Sequence, residues 1–259
     1  PQPQQETEGL PGLMGGAGVV LSKRLRMIAD MLTPGGVLAD VGCDHAFLSV
    51  YLVSAGVCPR ALAMDVRGGP LAGAGRHIRE AGLEDYIEAR LSDGLARYEA
   101  GEADVLVCAG MGGRLMARIL EDGLEKVKEM RELILQPQSE LPLLRAFLRK
   151  AGFALTREDA VFEDGKYYFA MKAVPGTAGE GNAAAGGGVC MPCPGLCDRF
   201  GGLLLAGRHP VLFEYLLWRK GRLESLEASL QSAGTLKAGR RLEEGVRELE
   251  ELEAALRFF

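Results

Sequence analysis

Apolar residues recur along this chain in two alternating rhythms. Short runs, apolar almost throughout, stand at residues 37–41, 60–66, 87–91, 103–109 and 132–136. Such runs mark strands buried on both faces, as in a parallel sheet. Between them, apolar positions spaced by three and four residues predict helices over 47–55, 70–81, 113–122 and 141–151. Gly82 and Gly152 close two of these helices. A first amphipathic helix is expected from a Ser22 cap to about Leu32, ending before Pro34-Gly35-Gly36. Residues 153–162 and 167–173 read as a closing antiparallel pair around Asp164-Gly165. Strands separated by helices make an α/β fold with a doubly wound sheet, here occupying residues 21–173.

The rhythm stops after residue 173. Residues 174–198 hold Gly/Ala-rich repeats, Ala183 to Gly188 among them, and read as a flexible linker. Residues 1–20, rich in Gly, Gln and Pro, read as a disordered tail. Helical periodicity returns over 210–228 (Leu212, Tyr215, Leu216, Leu223, Leu226) and over 239–259 (Leu242, Val246, Leu249, Leu252, Leu256). With Gly234 as the turn, residues 199–259 are expected to form a coiled-coil-like helical hairpin.

Composition narrows the function classes. The chain has 259 residues, 47% apolar and 25% charged, ordinary values for a globular protein with a full core. A net charge of -5 excludes coating of nucleic acid by bulk charge. A local basic face remains compatible with an RNA substrate. No apolar run approaches the ~20 residues that span a bilayer. The first residues lack the basic-then-apolar order of a secretory signal, so a cytoplasmic protein is expected, with no membrane partner. Among six cysteines, Cys43, Cys58 and Cys108 fall in apolar segments and read as buried thiols. Cys190, Cys193 and Cys197 are spaced to offer three thiolates, with His209 a conceivable fourth ligand. Exposed thiols and no metal are the reading adopted.

The chemistry concentrates at the carboxyl ends of the strands, where an open parallel sheet binds its ligands. The first strand runs into Asp40-Val41-Gly42-Cys43-Asp44-His45. This loop lacks the Gly-x-Gly-x-x-Gly turn that holds a dinucleotide pyrophosphate. It carries two acids instead, which repel a diphosphate and suit a cation. S-adenosylmethionine bears a sulfonium and an ammonium. Gly42 would let the backbone pass close to a ligand. Asp65-Val66 ends the second strand, where an acid can accept from ribose hydroxyls. Ser92-Asp93-Gly94 follows the third, where an acid can accept from an adenine amino group. Ala109-Gly110-Met111-Gly112-Gly113 ends the fourth and offers bare backbone to a flat base. The competing reading of any one of these acids, Asp44 above all, is a helix N-cap.

Read together, Ser22-Lys23-Arg24-Leu25, Ala39 to Ala46, Asp65 to Leu71, Arg90 to Leu95, Ala109 to Gly113, Leu133 to Pro137 and Glu163 to Tyr167 resemble the bacterial tRNA methyltransferases that modify N1 of adenine-22. The resemblance covers about residues 21–172 and, more loosely, the C-terminal helices. It implies a Rossmann-like class I methyltransferase sheet, S-adenosyl-L-methionine as cofactor, tRNA as partner and a C-terminal coiled coil. Two positions depart from the family pattern. Residues 174–198 are longer and richer in Gly and Ala, and Ser49 stands where Pro is expected, which should only soften the loop.

On that basis Asp44 and His45 are the candidate catalytic groups. Asp40, Gly42, Asp44, His45, Asp65, Val66, Ser92, Asp93, Gly94, Gly110 and Met111 are the candidate cofactor residues, and Gly110 and Met111 also shape the base pocket. The competing reading of His45 is a structural imidazole bonded to the backbone. Lys23, Arg24, Arg26, Arg67 and Arg114 are the candidate RNA contacts, against the plainer reading of a solvated helix face. A small-molecule methyltransferase would share the cofactor site but have no need of the hairpin or the arginines. A non-catalytic RNA-binding relative would have no need of intact acids at three strand ends.

Overall fold

The computed structural model describes residues 19–176, 193–233 and 236–259, without side chains for 229–240 and 243. The tail up to residue 18, most of the expected linker, Cys190 and Gly234 lie outside the described residues. The strands are β1 (Leu38–Val41), β2 (Ala61–Asp65), β3 (Ile87–Leu91), β4 (Val105–Gly112), β5 (Glu132–Ser139), β6 (Phe153–Glu163) and β7 (Lys166–Pro175). They form one seven-stranded sheet in the order β3-β2-β1-β4-β5-β7-β6. The first five run parallel, and β7 is antiparallel to both β5 and β6. Helices α1 (Lys23–Ala29), α2 (Phe47–Ser54) and α3 (Gly68–Glu80) cover one face. Helices α4 (Gly113–Asp122), α5 (Leu124–Lys128) and α6 (Leu141–Lys150) cover the other.

Successive strand residues point to opposite faces, and both faces here are covered. Leu38 packs with Ile28, Leu52 and Ile78, whereas Ala39 packs with Met116, Leu120 and Leu148. That is why β1, β2 and β4 read as apolar runs rather than alternations, whereas β3, at the sheet edge, is largely exposed and carries Glu88 and Arg90. Strand order reverses between β1 and β4, so the crevice at their carboxyl ends is the switch point where such sheets bind ligands.

Several boundaries differ from expectation. Helix α1 ends at Ala29 rather than Leu32, because the Met31 and Leu32 N–H groups close onto the Ile28 and Ala29 carbonyls three residues back; both side chains stay buried beyond it. Strands β4 and β5 run on together to Gly112 and Ser139, with irregular register between Ala109 and Gly112. The Gly-Met-Gly turn is therefore a bulged strand end rather than a loop. Helix α7 (Pro194–Phe200) begins inside the stretch read as linker, with Pro194 in the first turn, where its missing N–H costs nothing.

Helix α8 (Gly202–Ala206), α9 (Pro210–Ala233) and α10 (Leu236–Leu256) complete the chain. A third core joins them to the sheet edge through Ala160, Phe169, Phe200, Leu204, Leu212, Leu216 and Leu252. Helices α9 and α10 pair antiparallel, tied by Arg219 to Glu248 at 2.7 Å and Lys220 to Glu253 at 2.9 Å. Tyr215 stacks edge-on against Phe169 at 5.1 Å, and Trp218, one turn later, lies 5.6 Å from Tyr167. Strand β7 begins beside the carboxyl end of β5. Helix α9 therefore climbs toward the end of the sheet where the ligand crevice opens. No helix among the described residues is long and apolar enough to cross a membrane.

Candidate active site

The loop after β1 is held in an unusual backbone shape. Gly42 has φ +76, and Asp44 (φ 33), His45 (φ 69) and Ala46 (φ 57) follow in left-handed conformation. Non-glycine residues adopt that region at a cost, and three in one short turn form a strained, defined corner. The cap position of α2 falls on Ala46, with no side-chain cap bond, so the N-cap alternative for Asp44 does not hold. Its carboxylate is 73% exposed at the crevice, 3.9 Å from His45 Nε2. The His45 ring lies against Gly73 of α3, where any side chain would collide with it. His77 donates through Nδ1 to the His45 carbonyl at 2.9 Å, and its ring packs on Phe47 at 4.5 Å. Gly73, His77 and Phe47 were not singled out from sequence. The glycine-rich start of α3 was the one signal of close approach available.

Asp40 sits behind the loop, buried on the α2 side of β1. Ser49 Oγ donates to its Oδ2 at 2.7 Å. Ser49 thus does more than soften the loop, since it ties the acid of β1 to α2. Burial pushes the Asp40 acid up to about 6; Ser49 opposes the rise, and the Asp65 and Asp44 charges add to it. The unfolded chain loses this proton near 3.8, so ionised Asp40 burdens the folded state. The burden sets in above pH 4, is complete above pH 6, and is on the order of 3 kcal/mol there. Asp40→Asn is therefore expected to raise stability at pH 7, with the gain vanishing below pH 4. Urea melts of both proteins at pH 7 and pH 4 check this.

Asp65 at the end of β2 is 4% exposed. Its Oδ1 accepts the Arg67 N–H at 2.8 Å, leaving Oδ2 as a second acceptor. Val66 and Leu91 are 58% and 57% exposed, and Leu91 is the register neighbour of Asp65 on β3. The sequence reading chose Val66 but missed Leu91, because an exposed leucine ending an apolar run carries no local mark. Ser92 is buried and bonded within its own turn, donating to the Gly94 carbonyl at 2.8 Å and accepting from Arg97 N–H. It shapes the turn that presents the exposed Asp93, and Gly94 (φ +52) packs on Ile119.

The bulged end of β4 closes the crevice. Met111 Sδ lies 3.5 Å from Cys108 Sγ, and its methyl group covers the bare face of Gly42. Gly42 is thus needed for Met111 to lie across the loop. Arg24 Nη1 donates to Gln136 Oε1 at 3.0 Å, stacks over Tyr168 at 5.7 Å and is the nearest group to the bare face of Gly110. Gln136, fully buried on β5, belongs to the Leu133 to Pro137 block but is not among the candidate site residues read from sequence. Burial holds the Cys108 thiol at about 12 and pushes Cys43 up as well, so both stay protonated.

The basic residues divide. Lys23 and Arg67 are exposed at the crevice end of the sheet, with Arg67 Nε 3.7 Å from Asp65 Oδ1. Arg24 is taken up as described, Arg26 pairs with Asp30 and Tyr51, and Arg114 pairs with Glu140 at 2.8 Å. His209, weighed as a metal ligand, bonds Asp159 at 3.1 Å instead. Among the described residues no cluster of His, Cys, Asp or Glu could hold a metal ion.

A family model described as a methyltransferase domain matches residues 21–171. The tRNA (adenine(22)-N(1))-methyltransferase of Bacillus subtilis is 41% identical over 167 residues, 64% of this chain and 69% of that protein. The crystal structure of the Bacillus subtilis m1A22 tRNA methyltransferase superimposes with a TM-score of 0.78 at 32% identity, covering 92% of this chain and 99% of that one. The Streptococcus pneumoniae protein Sp1610, in complex with S-adenosyl-L-methionine, gives 0.77 at 33% identity, covering 92% of this chain and 100% of that one.

Proposed function

The chain belongs to the tRNA (adenine(22)-N(1))-methyltransferase family, and from that premise we propose that it transfers a methyl group from S-adenosyl-L-methionine to N1 of adenine-22 in tRNA, in the cytoplasm. The observation that carries the site is the convergence of Asp44, Asp65 and Asp93 on the carboxyl ends of three adjacent strands, opposite the Gly110–Met111 bulge. These residues fit the cofactor. Asp65 offers an acceptor for ribose hydroxyls, Val66 and Leu91 offer apolar faces for the adenine, and Asp93 offers an acceptor for its amino group. Asp44 and the turned loop face the cationic end. S-adenosyl-L-methionine, when bound, supplies an electrophilic methyl group.

The protein's remaining work is placement. Neutral adenine N1 already carries a lone pair, so no strong base is needed, and rate comes from alignment. The methylated base is a cation, which the Asp44 carboxylate is suited to stabilise. His45, fixed by Gly73 and by its own bonded carbonyl, walls the crevice beside it. The target base must leave its stack to reach the crevice. Lys23, Arg67 and Arg114 are exposed cations at the crevice end for phosphate contact.

The test is methyl transfer to transcribed tRNA, with the product base mapped. Expected is one methyl group at N1 of adenine-22 and no product from a transcript with guanine there. Turnover on a small molecule that is indifferent to tRNA would sink this reading.

A further inference from the structure

We infer that Phe162, Tyr167 and Trp218, with Arg222, form a stacking platform for an unpaired base of the tRNA, beside the pocket that takes the target adenine. The inference rests on the tRNA reading above. Phe162 and Tyr167 are cross-strand partners at the tip of the β6–β7 ribbon, with ring centroids 4.7 Å apart. Trp218 continues the row 5.6 Å from Tyr167, and the Arg222 guanidinium lies 5.7 Å from the Trp218 centroid. Phe162 is 44% and Trp218 46% exposed. Aromatic residues that serve packing stand behind them, as Phe169 does against Tyr215. The outer rings therefore offer π surface that the fold itself does not use.

Position and charge select the occupant. The ribbon tip also holds Glu163, whose carboxylate accepts the N–H groups of Lys23 and Arg24. Arg24 in turn reaches Gln136 and the bare face of Gly110. The ribbon tip thus lies beside the methyl-transfer crevice, with the platform on one face of it and the Glu163 contacts on the other. Arg222 lies over one of its rings, and exposed Lys166 stands next to Tyr167 in sequence at the same ribbon tip. Aromatic faces interleaved with cations suit nucleobases on a phosphate backbone. An RNA whose target base is unstacked has neighbouring bases in need of a new surface.

Trp218 is the only tryptophan in the chain, so its emission reports on this surface alone. Titration with unmodified tRNA should quench it, saturating near the KM for tRNA. Trp218→Ala and Phe162→Ala should each raise that KM by about tenfold or more, the range of one lost stacking contact. Trp218→Phe should restore most of it, and calorimetric affinity for S-adenosyl-L-methionine should not move. Unquenched tryptophan in saturated complex, or wild-type KM in both folded alanine variants, overturns the platform. So does self-association by sedimentation that Trp218→Ala abolishes while KM for tRNA stays put, since the occupant is then a second copy. Failure of the wild-type protein to methylate any tRNA would strike the underlying reading instead.

Discussion

Glu158→Ala is expected to lower stability by about 3–5 kcal/mol, the cost of breaking a buried ion pair from one side. Arg145 on α6 and Glu158 on β6 meet at 2.8 Å with side chains 2% and 0% exposed. Arg145 Nη1 also donates to the Asp198 carbonyl, and Glu158 Oε2 accepts the Leu203 N–H at 3.0 Å. The pair therefore clamps α7 and α8 onto the sheet. Gly201, at φ +93, passes so close that a side chain there would meet both carboxylate oxygens. Arg145 Nη2 already lacks a hydrogen-bond partner, so the pair is not over-satisfied. Removing the carboxylate leaves a guanidinium in an apolar joint and an orphaned N–H at Leu203. Urea denaturation measures the loss, and a Glu158→Ala midpoint matching wild type would show the joint to be solvated. The double variant Arg145→Met/Glu158→Leu should recover most of the stability, because two apolar groups leave no charge behind. Because α9 carries Trp218 and Arg222 past the crevice, a loosened joint should weaken tRNA turnover more than cofactor affinity.

This joint was invisible in the sequence, for an instructive reason. Strands and helices were legible because burial of a regular element writes a period into its own residues. The acids at the strand ends were legible because local order places them: Asp65 and Asp93 each follow an apolar run directly. Arg145 and Glu158 belong to two elements, and either alone reads as a charge on a solvent-facing stretch. The same holds around the candidate site. Ser49 bonds Asp40 through the turn of the fold, Met111 lies across Gly42 from another strand, and Gly73 matters because of a ring 28 positions earlier. The left-handed run at Asp44, His45 and Ala46 carries only a faint residue signature: aspartate and histidine favour that region more than most residues, but alanine does not. It comes directly after Gly42 and Cys43, whose N–H groups both close onto the Met64 carbonyl of β2. The exposed arginines show the same limit: Arg26, Arg67 and Arg114 each have a carboxylate within the fold, and the Arg114–Glu140 pair joins residues 26 positions apart.

Asp44→Asn is expected to cut methyl transfer about a hundredfold or more, the scale of one lost electrostatic partner at a reacting centre. Asparagine tolerates left-handed backbone as aspartate does, so the turn keeps its shape and the melting temperature should match wild type. Alanine would add strain at φ 33 and confuse the two effects. The Asp44 carboxylate is 73% exposed, where a charge is worth little. Its value arises when cofactor and base fill the crevice and exclude water, because the same charge then acts in a lower dielectric. Two readouts divide the loss. A calorimetric drop in S-adenosyl-L-methionine affinity equal to the drop in turnover places the carboxylate on the cofactor's cationic end. Unchanged affinity with reduced kcat places it on the adenine, where positive charge appears only as the methyl group arrives. Wild-type turnover from the folded variant would remove Asp44 from the chemistry and leave alignment by the His45–Gly73 wall as the source of rate.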